Sequence, residues 1–175
     1  MIKVGRLDGK RISFVLENDF EDSEFYTPYQ KLIEEGAELT IVGLERGREL
    51  RGKTEGYKTR VDRSFNDTSP EDFDALVIPG GYSPDKLRVH EEAVSFVRGF
   101  RNKPLAAICH GPQLLISADL VRNKEVTSWP SVTVDLRNAG ANWVDRELVV
   151  DGNLITSRKP SDLEAFTKAI IEMLR

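Results

Sequence analysis

At 175 residues the chain is long enough for one domain with a proper core. Its net charge of −4, with acidic and basic residues mixed along the chain, leaves no basic footprint for nucleic acid or an anionic membrane, and no stretch approaches the ~18 apolar residues of a membrane span. The one cysteine, Cys109, excludes an intramolecular disulfide and agrees with a reducing, cytoplasmic setting.

In chain order, the short apolar stretch 12–16 is closed by Glu17 and Asp19, too short and too acidic behind it for a signal peptide. Residues 11–16 read as a strand and 23–35 as a helix ended by Gly36. Residues 38–42 form a second strand. The alternation around Tyr57, Thr59 and Val61 places an edge hairpin at 52–62. Residues 75–78 are a continuous apolar strand that runs into Pro79-Gly80-Gly81. A helix is expected at 91–101, a strand at 105–108 and a helix from 113. Another helix covers 132–139, a hairpin folds at Asp151-Gly152-Asn153, and a last helix runs from Pro160 to Leu174. Apolar strands alternating with helices mean an α/β fold, with a mainly parallel sheet covered on both faces. Its chemistry then lies at the carboxyl ends of the strands.

Cys109 sits at such an end, at a strand-to-helix turn. Ala107-x-Cys109-x-Gly111 fits the small-x-nucleophile-x-small pattern of a nucleophile elbow. The N–H groups and partial positive charge of the following helix favour thiolate over thiol. Full ionisation of a thiol of pKa ~8.5 gains at most about 30-fold at neutral pH, whereas one oxyanion donor is worth about 10²–10³. Paired N–H groups therefore matter more than the thiol pKa. Gly80-Gly81 is placed to let a backbone N–H approach a reacting carbonyl opposite the N–H of His110. Glu21, in the acidic run after the first strand, is the carboxyl expected beside the elbow.

Other chemistries are poorly served. Residues 47–54 fit the P-loop expression, but no helix follows, so they read as a charged turn. No histidine follows His110, so the downstream base of a class I glutaminase is missing, and His90 reads as a surface residue. One cysteine, two histidines and no repeated spacing argue against a zinc site. Neither a metal nor a cofactor is implied.

The segments Asp19-Phe20-Glu21-Asp22-Ser23-Glu24, 73–81, Ala107-Ile108-Cys109-His110-Gly111-Pro112-Gln113, 138–153 and Ser157-Arg158 resemble, in order and spacing, the PfpI family of the class I glutamine-amidotransferase-like superfamily. The likeness spans about residues 10–175 and leaves residues 1–9 as an N-terminal extension. It implies a flavodoxin-like three-layer sandwich that assembles as a homodimer or hexamer. It also implies Cys109 as nucleophile, Glu21 hydrogen-bonded to the sulfur through a largely protonated carboxyl, and an oxyanion site from the N–H groups of Gly81 and His110. In archaeal peptidase members a Glu from a neighbouring subunit orients the histidine. The matching residue here is Asp85, one methylene shorter. The stretches 81–85 and 22–24 are closer to the bacterial general-stress branch.

Three functions follow as expectations. The first is a cofactor-independent cysteine hydrolase of the carbonyl-stress response, with glyoxalase- or deglycase-type action on methylglyoxal and its adducts. The second is an intracellular cysteine peptidase acting on small peptides. The third is a non-enzymatic redox-sensing stress protein or holdase, its low-pKa thiol oxidised near Glu21.

Overall fold

The computed structural model describes residues 5–175; of the extension expected at 1–9, residues 1–4 lie outside the described residues. In chain order the elements are β1 (Arg11–Val15), α1 (Asp22–Glu34), β2 (Glu38–Gly43), β3 (Glu49–Arg51), β4 (Lys58–Arg60), β5 (Arg63–Ser64), β6 (Ala75–Ile78), α2 (Ser83–Leu87), α3 (Glu91–Arg98), β7 (Leu105–Ile108), α4 (Pro112–Ser117), β8 (Glu125–Val126), α5 (Thr133–Asn138), β9 (Asn142–Trp143), β10 (Val149–Asp151), β11 (Leu154–Ser157) and α6 (Leu163–Leu174).

Seven strands form the central sheet in the order β10-β11-β7-β6-β1-β2-β5. All pairings in it are parallel except that of the edge strand β10 with β11. Strand side chains alternate between faces, and the alternation builds two cores. Ile12, Phe14, Val77, Ala106, Ile108 and Ile155 pack with Phe25 and Leu32 of α1 and with Phe166, Ile170 and Ile171 of α6. Leu76, Ile78, Leu105, Ala107 and Leu154 pack on the other face with Phe96 of α3, Leu114 of α4 and Leu136 of α5. Strands buried on both faces need this double apolar pattern, which is why β6 and β7 are apolar throughout.

The hairpin of the charged region begins earlier than its alternation implies: β3 pairs with β4 as Glu49↔Arg60, Leu50↔Thr59 and Arg51↔Lys58, leaving 52–57 as its loop. Leu50 is the one apolar residue of β3, and it is 1% exposed. Three residues carry too little periodicity to show a strand. The same shortness hides α2 and the β8–β9 pair, and α3 ends at Arg98 rather than at 101. Before β1, Leu7 is fully buried and its N–H donates to the Glu35 carbonyl at 2.9 Å. Among the described residues no helix is long and apolar enough to cross a membrane.

Candidate active site

The neighbours β1, β6 and β7 all point their carboxyl ends the same way, which brings the turns after residues 15, 78 and 108 together. Cys109 lies between the end of β7 and the start of α4 with φ of +64°, a left-handed backbone that costs a non-glycine residue about 1–3 kcal/mol. Two hydrogen bonds hold it there: its N–H donates to the Ser157 carbonyl, and its carbonyl accepts the Trp129 N–H, both at 3.0 Å. A Cβ on Gly111 would lie 2.5 Å from the Ile78 carbonyl oxygen, so only glycine lets the turn close against β6.

The carboxyl beside the thiol is Glu24, and the expectation for Glu21 is corrected. Glu21 is the N-cap residue of α1. Its carboxylate turns away to Lys53 (3.3 Å) and accepts the Thr54 hydroxyl (3.1 Å). Glu24, one turn further on, is fully buried and interacts with the Cys109 side chain. Its Oε1 accepts the Gly80 N–H at 2.9 Å, and Oε2 is buried without a hydrogen-bond partner. Burial, foremost, pushes the Glu24 carboxyl up to about 8, against the pull of the Gly80 N–H. Glu24 is thus largely protonated at neutral pH. The sequence held a signal for it: Glu24 falls on the buried stripe of α1 formed by Phe25, Pro28 and Leu32, where an unpartnered carboxylate does not belong.

Burial also pushes the Cys109 thiol up, and the Glu24 charge adds to this, while the N–H groups of His110 and Gly81 pull it down. Burial thus opposes the thiolate that the neighbouring N–H groups favour. Cys109 is only 8% exposed, and the helix behind it, α4, has six residues. Desolvation of the anion outweighs so short a dipole. What the two N–H groups do supply is a pair of donors aimed at the sulfur, from Gly81 and His110.

His110 stands directly beside the thiol. Its Nδ1 lies 3.4 Å from the Cys109 sulfur and its Nε2 3.3 Å from the Ser131 hydroxyl. Burial and the Lys53 charge lower its pKa, with Asp85 opposing, which favours the neutral imidazole. The ring stacks on Trp129 at 6.4 Å between centroids. Asp85 is exposed on α2 and, within its own chain, reaches His110 through its charge, while Ser131 lies within hydrogen-bonding distance of the ring. Trp129, Lys53 and Tyr82 reach the site from connecting segments and Ser131 from the short 3-10 turn Pro130–Val132, without a spacing motif to announce them. His90 is at the surface, 3.7 Å from Glu92. Among the described residues no cluster of three or more His, Cys, Asp or Glu side chains is placed to hold a metal ion.

Gly80 keeps the pair in register. A Cβ there would sit 2.5 Å from Glu24 Oε1, 2.8 Å from Cys109 Cβ and 3.0 Å from the His110 nitrogen. Gly80→Ala is expected to separate carboxyl, thiol and N–H donor, lowering Cys109-dependent turnover about a hundredfold or more and stability by about 1–3 kcal/mol. Kinetics and urea unfolding of the variant check both; wild-type turnover would show that the close approach is unimportant.

A three-layer α/β sandwich with a buried cysteine at a strand-to-helix turn, faced by a protonated glutamate and a neutral histidine, defines a narrow class. The family model described as DJ-1/PfpI matches residues 10–173, and the chain belongs to that family. It is 47% identical over 167 residues to a Pyrococcus horikoshii protein named as a deglycase, covering 94% of this chain and 99% of the relative. It is 45% identical over 169 residues to general stress protein 18 of Bacillus subtilis, covering 95% and 98%. A crystal structure of a two-domain Anabaena variabilis protein, with DJ-1/ThiJ/PfpI-like and ferritin-like domains, superposes with a TM-score of 0.92 at 42% identity. That match covers 94% of this chain and 48% of the other, so this chain spans about half of the two-domain protein.

Proposed function

We propose that this protein is a cofactor-independent cysteine hydrolase of carbonyl stress, acting in glyoxalase or deglycase fashion on methylglyoxal and its adducts. The observation that carries the reading is the buried Cys109–Glu24 pair beneath the N–H groups of Gly81 and His110, with a neutral imidazole nitrogen 3.4 Å from the sulfur. The Pyrococcus horikoshii relative's name points the same way.

The Cys109 sulfur adds to the aldehyde carbon of methylglyoxal while its proton passes to His110 Nδ1. The oxygen that gains the electron pair is held by the two N–H groups and takes the proton back, giving a thiohemiacetal. Glu24 and His110 then move the C1 proton to C2 through an enediol, leaving a thioester of lactate on Cys109. Water cleaves the C–S bond, lactate departs and the thiol regains its proton. The sum is methylglyoxal plus water to lactate, without oxidant or reductant. We place the protein in the cytoplasm and as a homodimer or hexamer, the latter testable by light scattering.

Purified wild type incubated with methylglyoxal, without glutathione, is expected to form lactate catalytically. Peptide hydrolysis in its place would move the assignment to a PfpI-type peptidase, in which Asp85 orients His110 across a subunit interface. Oxidation of Cys109 without any turnover would make it a redox-sensing stress protein.

A further inference from the structure

The end of the stretch that mimics a P-loop packs beside the active site instead. Loop 52–57 is fastened to the start of α1 by one buried carboxylate: Asp22, fully buried, accepts the N–H groups of Thr54 and Tyr57, each at 2.9 Å. Gly52 packs flat against this carboxylate, where a Cβ would collide with all three of its outer atoms. The Lys53 N–H donates to the Phe20 carbonyl at 2.9 Å and the Gly52 N–H to the Tyr57 carbonyl at 2.9 Å, which closes the loop on itself.

This fastening sets the direction of one side chain. The Lys53 ammonium lies 3.3 Å from the Glu21 carboxylate and 5.6 Å from the centre of the Tyr82 ring. Glu21 donates its N–H to the Gly80 carbonyl at 3.2 Å, and Tyr82 follows Gly81 directly. Lys53 is therefore held, on the exposed side of the site, between two residues that flank the Gly80-Gly81 turn. Its charge is felt by Glu24, Cys109 and His110 alike. Glu21 thereby has a task after all, that of positioning Lys53.

We propose that Lys53 is the anion-recognition group of this site, favouring electrophilic substrates that carry a carboxylate beside the carbon attacked by Cys109. The inference rests on Cys109 being the nucleophile, and its test reads that sulfur directly. Iodoacetate and iodoacetamide have nearly the same size and differ in charge. With either, the Cys109 thiolate forms an S–C bond and iodide leaves with the C–I electron pair. The ratio of the two alkylation rates cancels any change in thiolate fraction that a substitution at position 53 brings.

The iodoacetate-to-iodoacetamide ratio is expected to fall about tenfold in Lys53→Met, to survive in Lys53→Arg and to fall further in Lys53→Glu. Added salt should erode the wild-type preference and leave that of Lys53→Met almost unchanged. Equal ratios in wild type and Lys53→Met would overturn the proposal. A Cys109 inert to both reagents would overturn it together with the nucleophile reading. A charge-selective Cys109 in a protein that makes no lactate would uphold it while sinking the carbonyl-hydrolase assignment.

Discussion

Cys109→Ser is expected to lower lactate formation from methylglyoxal by at least about a thousandfold. A serine hydroxyl is a far weaker acid and a poorer nucleophile than a thiol, and an imidazole nitrogen placed 3.4 Å from the sulfur position does not make up that difference. The adduct would also be an ester-type intermediate instead of a thioester, so its hydrolysis would be slower. The N–H groups of Gly81 and His110 would remain, and they alone leave only residual catalysis. Serine is nearly isosteric, so unfolding free energy should stay within about 1 kcal/mol of wild type. Loss of turnover with an unchanged urea midpoint is the expected outcome. A variant that still turns over would remove Cys109 from the chemistry.

Glu24→Gln should flatten the pH dependence of stability. The Glu24 carboxyl is pushed up from 4.5 to about 8 in the folded protein, chiefly by burial, so between those values the native state binds a proton that the unfolded chain has released. Its contribution is complete below the unfolded pKa and fades as pH rises toward the folded one. For wild type this amounts to a loss on the order of 3 kcal/mol between about pH 5 and 7.5. Glutamine keeps an acceptor for the Gly80 N–H and a donor toward the sulfur, and it does not titrate. Asp22, whose pKa backbone hydrogen bonds hold low against its own desolvation, loses its contribution as pH falls. It does so in both proteins and cancels in the difference. Urea unfolding at the two pH values should therefore show Glu24→Gln gaining on wild type as pH rises. Parallel behaviour of the two proteins would mean that Glu24 ionises normally.

Much of the sheet was legible because its strands are buried on both faces. Residues 75–78 and 105–108 are uninterrupted apolar runs, and they appear as β6 and β7 with the same bounds. The positions of Cys109, His110 and Gly80-Gly81 at strand carboxyl ends were legible for the same reason: in a parallel sheet, strand direction alone sends those turns to one edge. The β3–β4 hairpin was displaced in the reading because its first strand offers a single apolar residue among charges.

The choice between Glu21 and Glu24 shows where local reasoning stops. Both lie in the first acidic run, three residues and nearly one helical turn apart, and composition treats them alike. The helix phase decides between them. The N-cap position aims Glu21 at Lys53, whereas the stripe that carries Phe25 and Pro28 inward carries Glu24 beneath the thiol. Lys53, Ser131 and Trp129 come from short segments distant in sequence and were invisible from residue pattern.

By itself the sequence determined the α/β sandwich, the cysteine at its strand-to-helix turn and the histidine beside it, since these follow from apolar periodicity and chain direction. Only the tertiary structure decided which carboxyl meets the sulfur, how deeply the thiol is buried and which cation pairs with Glu21. Each of these depends on burial and on distances between segments far apart in the chain, quantities that no local pattern of residues encodes.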